Sequence, residues 1–167
     1  MPLCMHFGTA GTVPATSPDA PFSVMISLMG CNSMYTMVDL LLSPVFHEFP
    51  RLKVALSEGG IGWMPYILER TDYTWDRHRW HTGLNTEVRP SELFKRNIWG
   101  CFIDDDAGVR YRHDIGIDRI TYECDFPHSD CNFPHSRKRL SEMLTDVPDD
   151  EAHMIAELNA RKLFNFG

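Results

Sequence analysis

A run near the C-terminal third limits the possible folds more than any other part of this sequence. Ile120 and Tyr122 alternate with polar residues, as in a half-buried β-strand. Asp125 and His128 follow at its end, and a proline between them stops the strand pattern. A strand that delivers a carboxylate and an imidazole at its C-terminal end is typical of an α/β barrel or open α/β sheet, where ligands bind at that edge.

Strand-like and helical patterns alternate along the rest of the chain. Strands are predicted at 2–8, 52–58 and 97–102, in addition to the run that contains Ile120. Helices are predicted at 22–42 (two short helices, or one with a kink near 30–33), around 63–79, from Ser91 as a cap through Leu93, and at 104–112, 137–144 and 149–158. This alternation predicts a single α/β domain, 1–167, with a parallel sheet.

Composition excludes several classes of function. The 167 residues carry a net charge of −7 and no block of basic residues, which argues against nucleic acid as a partner. The most apolar stretch, 23–46, is interrupted by polar residues and a proline, and we interpret it as too polar for a membrane span. Five scattered cysteines, with no secretory leader pattern before them, favour a reduced cytoplasmic location.

Three of the four predicted strands end on a residue that can bind a metal or move a proton. These residues are His6, Glu58 and Asp125. Because parallel strands finish at the same edge of a sheet, we expect the three side chains to converge on one pocket. Imidazole and carboxylate ligands suit zinc, manganese or iron, and an unligated Glu58 is a candidate general acid or base.

Three motifs carry a resemblance to a known family. Residues 4–8 (CMHFG), 49–63 (FPRLKVALSEGGIGW) and 124–128 (CDFPH) resemble the C-terminal half of the amidohydrolase-related family. That family includes the aminocarboxymuconate-semialdehyde decarboxylase-like enzymes. The resemblance covers most of the chain and preserves the order of the motifs.

The resemblance implies half of a metal-dependent (β/α)₈ TIM barrel, in which this chain supplies the last four strands with their helices. It implies that His6 and Asp125 bind a divalent metal ion, most simply zinc, with manganese or iron as alternatives. Glu58 stands where decarboxylase members carry a catalytic His before Gly-Gly. His128 either lines the pocket as a second catalytic residue or is a solvated loop residue.

The implied function is that of a hydrolase or carboxy-lyase acting on a small organic acid or cyclic substrate. The family's first strand contributes a His-x-His or Glu-x-His pair of metal ligands, and we expect this chain to lack that pair. We therefore expect either a fragment that needs an N-terminal half or two copies that pair as a homo-oligomer, since a half-barrel leaves two strand edges unpaired. The alternative function is a catalytically inactive assembly or interaction module.

Structural explanations stay open for each candidate residue. His6 also fits a hydrogen-bonded core histidine, and Glu58 and Asp125 also fit turn formers. A rival metal site is a small zinc knuckle in the pattern C-x₃-H-x₂-C-x₃-H, formed by Cys124, His128, Cys131 and His135.

Overall fold

Four short strands form the central sheet of the computed structural model, which describes residues 1–7, 11–82 and 87–166. The strands are β1 (Leu3–His6), β2 (Val54–Ser57), β3 (Ile98–Phe102) and β4 (Ile120–Tyr122). They lie in the order β1-β2-β3-β4, and every neighbouring pair is parallel. The predicted α/β class and parallel sheet are confirmed.

Helices connect successive strands and follow the last one. They are α1 (Phe22–Leu28), α2 (Gly30–Leu42), α3 (Val45–Glu48), α4 (Met64–Thr82), α5 (Pro90–Asn97), α6 (Asp106–Arg110), α7 (Arg112–Ile115), α8 (Ser136–Met143), α9 (Asp149–His153) and α10 (Asn159–Phe164). A 3₁₀ turn, Ile117–Arg119, precedes β4, and a π-helical segment, Met154–Leu158, joins α9 to α10.

The register of the sheet places the strand ends side by side. His6 is opposite Ser57 across β1 and β2, and Phe102 is opposite Tyr122 across β3 and β4. The loops that follow β1, β2 and β4 therefore leave the sheet at the same edge, as the sequence predicts. This edge carries the candidate functional residues.

The core lies between the sheet and the helices, where β3 is buried along its whole length. Gly100 lies at the closest approach of the two layers. A Cβ atom at this position would lie 2.6 Å from Met64 Cε and 2.7 Å from Ile61 Cγ2. Only glycine lets α4 pack this close to β3.

Several helix boundaries differ from the prediction. Ser91 does not cap a short helix; its amide and hydroxyl bind Asp72, and α5 continues to Asn97. The helix begins instead after Arg89, whose N–H donates to Glu92 at 3.0 Å, with proline at its first position. The single helix predicted at 104–112 is two short helices, α6 and α7, separated at Tyr111.

The apolar stretch near the N-terminus forms α1 and α2, with the boundary at Met29 rather than within 30–33. Together, Phe22–Leu42 is long and apolar enough to cross a membrane by length and composition, a test that core helices of soluble proteins also pass. Here α2 buries Met37 and Leu41 against the rest of the fold. The sequence-based exclusion of a membrane span thus stays a prediction.

Candidate functional site

A cavity of about 490 Å³ opens at the C-terminal edge of the sheet. Its wall contains all four candidate residues: His6, Glu58, Asp125 and His128. The lining contains both apolar and acidic residues; its members are His6, Phe7, Ile26, Ser27, Met29, Gly30, Glu58, Gly59, Gly60, Trp63, Asp105, Asp125, His128, Ser129 and Asp130. The predicted convergence is therefore present, and the volume suits a small-molecule ligand.

Glu58 and His6 form a pair at the ends of neighbouring strands. His6 Nε2 lies 3.0 Å from Glu58 Oε2, and the Glu58 side chain is only 11% exposed. Burial raises the pKa of Glu58 above its usual value, and the charge of Asp125 adds to this, although His6 opposes it. Burial and a neighbouring carboxylate thus make Glu58 easier to protonate than a free glutamate.

Asp125 and His128 form a second pair in the loop after β4. His128 Nδ1 lies 2.9 Å from Asp125 Oδ2 and 3.1 Å from its Oδ1. The Asp125 side chain is 15% exposed and that of His128 is 68% exposed, so the imidazole covers the carboxylate from the solvent side. His128 lines the cavity and is also largely exposed, so its catalytic role stays a prediction.

The backbone is strained at both half-buried carboxylate residues, Glu58 and Asp125. Glu58 has φ 61° and Asp125 has φ 57°, the left-handed region that residues with a side chain seldom adopt. Such conformations cost on the order of 1–3 kcal/mol and cluster at functional sites, where the surrounding structure enforces them. Both residues line the same cavity.

Asp105 is a residue of the site that the sequence did not reveal. Its Oδ2 accepts the N–H groups of Ile61 at 2.8 Å and Gly62 at 2.7 Å, and its Oδ1 accepts that of Gly108 at 2.7 Å. The carboxylate therefore ties the loop after β2 to the start of α6. The only sequence signal for this role is an Asp that directly precedes a helix, where N-cap residues are expected.

Glu123, directly after β4, is a second residue that the sequence did not reveal. Its carboxylate accepts the N–H of Glu58 and the thiol of Cys101. Burial raises the pKa of Glu123, and these two hydrogen bonds oppose the rise. Burial likewise raises the pKa of Cys101 well above its usual value, so the thiol keeps its proton and donates it.

Three side chains in the described part of the chain fit a metal ion. Single ligand atoms of Glu58, Asp125 and His128 all lie within 4.8 Å of one another. The donors are two carboxylate oxygens and one imidazole nitrogen, a set that accepts manganese, iron or zinc. The predicted ligand His6 does not belong to this group of three but contacts it through Glu58.

The rival zinc knuckle does not form among the described residues. Cys124 Sγ lies 3.0 Å from Ser136 Oγ, and Cys131 Sγ accepts the N–H of Phe133. The one Glu-x-His tripeptide in the sequence, at 151–153, is also unlike the family's strand-end pair, because it lies in α9 and Glu151 pairs with Arg112 at 2.6 Å.

The sequence profile of the amidohydrolase family matches residues 10–166. This chain belongs to the amidohydrolase family. The match contains Glu58, Asp125 and His128 and begins after His6. A comparison with curated proteins finds no match.

Solved structures of amidohydrolase-family proteins share this fold. A 5-carboxyvanillate decarboxylase from Sphingomonas paucimobilis is 26% identical, with a TM-score of 0.70 over 83% of this chain and 41% of its own. An amidohydrolase from Mycobacterium avium subsp. paratuberculosis is 20% identical, with a TM-score of 0.74 over 97% of this chain and 41% of its own. A dihydroxybenzoic acid decarboxylase from Polaromonas, solved with manganese and 2-nitroresorcinol, is 22% identical, with a TM-score of 0.65 over 82% of this chain and 41% of its own.

This chain thus spans less than half the length of each of these structures. Together with the four-stranded parallel sheet, this coverage shows that the fold is half of a TIM barrel. The family and the fold implied by the three sequence motifs are confirmed.

Proposed function

We propose that this chain provides the catalytic acid and part of the metal site of a carboxy-lyase that acts on small aromatic acids. The observation that carries the proposal is the convergence of Glu58, Asp125 and His128 within 4.8 Å at one strand edge. Support for the reaction class comes from the similarity to a 5-carboxyvanillate decarboxylase at 26% identity. The decarboxylase activity is that of the whole Sphingomonas protein, which is more than twice as long as this chain; this chain covers 41% of it.

The metal would be held by Asp125 and His128 with His6 beside them, which leaves Glu58 free to act as the acid. The donor set does not single out zinc, because carboxylate and imidazole ligands suit manganese or iron equally well. A bound divalent cation would supply a positive charge opposite a substrate carboxylate or phenolate.

The cavity wall favours a flat apolar substrate that carries a negative charge. The cavity lining includes four large apolar side chains, Phe7, Ile26, Met29 and Trp63, together with acidic residues. Among the described lining residues there is no lysine or arginine, so the positive charge available to a substrate carboxylate comes from His6, His128 or a bound cation. An aromatic ring with a carboxyl group meets both requirements.

Glu58 is the residue that moves the proton. Loss of CO₂ breaks a carbon–carbon bond and leaves the electron pair on the ring carbon, which must then accept a proton. Glu58 is buried beside the cavity with a raised pKa, so it can hold that proton and deliver it, ending as the carboxylate that His6 contacts at 3.0 Å. A proton from solvent then restores the acid.

The experiment uses the 167-residue chain, Mn²⁺ and 5-carboxyvanillate in D₂O. We expect proton NMR to show that deuterium has replaced the carboxyl group on the ring. Glu58→Gln should lower the rate of decarboxylation by 10²-fold or more, roughly the contribution of one general acid. Glu69→Gln, on the exposed face of α4, is the matched control and should react like the parent chain. If the metal-loaded chain leaves 5-carboxyvanillate unchanged but hydrolyses an ester or lactone, the proposed carboxy-lyase function is wrong and a hydrolase function takes its place.

A further inference from the structure

The backbone amide of Glu58 is held by a side chain from another strand. Glu123 lies 65 residues further along the chain, and its Oε1 accepts the Glu58 N–H. Glu58 follows β2 and Glu123 follows β4, with β3 between them in the sheet. The Glu123 side chain therefore spans the end of β3 to reach the residue that carries the proposed catalytic carboxyl.

Glu123 is itself fixed from two directions. Its own N–H donates to the carbonyl oxygen of Phe102 at 3.0 Å, and the buried thiol of Cys101 donates to its carboxylate. It does not belong to the described lining of the cavity. Its position is thus set by β3, and its hydrogen bond to the site is made to the Glu58 backbone.

The conformation of Glu58 needs such support. At φ 61° the backbone is in the left-handed region, which is unfavourable for any residue with a Cβ atom, and nothing in its sequence neighbourhood removes that cost. A hydrogen bond from an amide to a carboxylate is stronger than one to a neutral acceptor. Without it, the backbone can relax to the extended region and turn the Glu58 carboxylate away from His6.

We infer that Glu123 is a positioning residue: by accepting the Glu58 N–H it holds Glu58 in the left-handed conformation and aims its carboxylate at His6 and the cavity. The consequence for catalysis rests on the proposed function, whereas the structural consequence does not.

The test compares Glu123→Ala with Glu123→Gln, which keeps an acceptor oxygen of the same reach. Glu142→Ala, at an exposed glutamate on α8, is the matched control. Amide hydrogen exchange at Glu58 and the imidazole NMR resonances of His6 are measured on the chain without metal or substrate. We expect Glu123→Ala to speed exchange at Glu58 about tenfold, as for one lost hydrogen bond, and to shift the His6 resonances. Glu123→Gln should restore both readouts, and Glu142→Ala should change neither.

Glu123→Leu serves as a second variant if the alanine variant does not fold, because leucine fills the volume of glutamate but offers no acceptor. Unchanged exchange at Glu58 and unchanged His6 resonances in the folded alanine or leucine variant would overturn the inference. So would a glutamine variant that matches the alanine variant, because an acceptor oxygen would then not be what matters. None of these readouts uses metal or turnover, so the inference and the proposed function fail separately.

Discussion

The interior of the sheet and its C-terminal edge differ in side-chain packing and in backbone conformation. In the interior, β3 is buried along its length and packs against α4 with no space for a side chain at Gly100. At the edge, Glu58 and Asp125 adopt left-handed backbone conformations and crowd two carboxylates into one cavity. The interior therefore provides stability, and part of it offsets the strain and charge repulsion that the edge maintains.

The largest effect is expected from a change confined to the interior. Phe94 on α5 is fully buried, so Phe94→Ala should lower the free energy of unfolding by about 3–5 kcal/mol through lost burial and a cavity. Chemical denaturation measures this loss. Phe49→Ala is the control, because Phe49 is 59% exposed and should change stability little. Equal losses in both variants would contradict the assignment of the core.

A smaller loss of stability is expected at Asp105, which holds the loop after β2 at the sheet edge. Asp105→Ala leaves the amides of Ile61, Gly62 and Gly108 without their acceptor, and should lower the free energy of unfolding by about 2–3 kcal/mol. Asp105→Asn keeps one acceptor oxygen and should lose less. Denaturation curves for the two variants give the comparison; an alanine variant as stable as the parent would show that the three hydrogen bonds do not hold this loop.

A glutamate-to-glycine substitution should have opposite effects on stability at the sheet edge and on an exposed helix face. Glu58→Gly removes a left-handed glutamate whose ionised form is disfavoured by burial, so it should raise stability at neutral pH by about 1 kcal/mol. Glu69→Gly, on the exposed face of α4, should lower it by about 1 kcal/mol. Two losses of equal size would mean that Glu58 is not strained.

The smallest effect is expected on the surface, away from both regions. Arg139 binds Asp104 at 2.6 Å and Asp106 at 2.9 Å, and its hydrogen bond lowers the pKa of Asp104. Because Asp104 titrates lower in the folded chain than in the unfolded one, its contribution is present above the unfolded pKa and is lost as pH falls through the folded pKa. Both acids are substantially exposed, so Arg139→Met should cost less than about 1 kcal/mol.

Denaturation of Arg139→Met at neutral and acidic pH, at low and high salt, measures this contribution. The difference from the parent chain should shrink towards acid and at high salt. A difference that persists unchanged under both conditions would mean that Arg139 stabilises the chain by packing rather than by charge.

The sequence predicts the interior better than the edge. Short apolar runs, with period-two alternation in the last of them, predict all four strands, and the residues that follow or end β1, β2 and β4 converge as expected from a parallel sheet. Three motifs were enough to predict the family and the half-barrel.

The contacts that shape the edge could not be predicted. Asp105 and Glu123 act through backbone amides 43–65 residues away, and such long-range partners have no local pattern. The left-handed conformation of Glu58 also has no sequence signal, because glutamate, unlike glycine or aspartate, seldom adopts it. Helix boundaries at α5 and α6 depended on tertiary contacts, as the binding of Ser91 to Asp72 shows.

The most direct test of the account is calorimetric titration of the 167-residue chain with Mn²⁺. We predict saturable binding of one ion per chain, lost in Asp125→Ala and weakened in His6→Ala. Binding should be kept in Asp114→Ala, a matched change at an exposed aspartate on α7. No binding by the parent chain, or equal binding by all four proteins, would contradict the claim that this strand edge gathers its acids and imidazoles into a metal site.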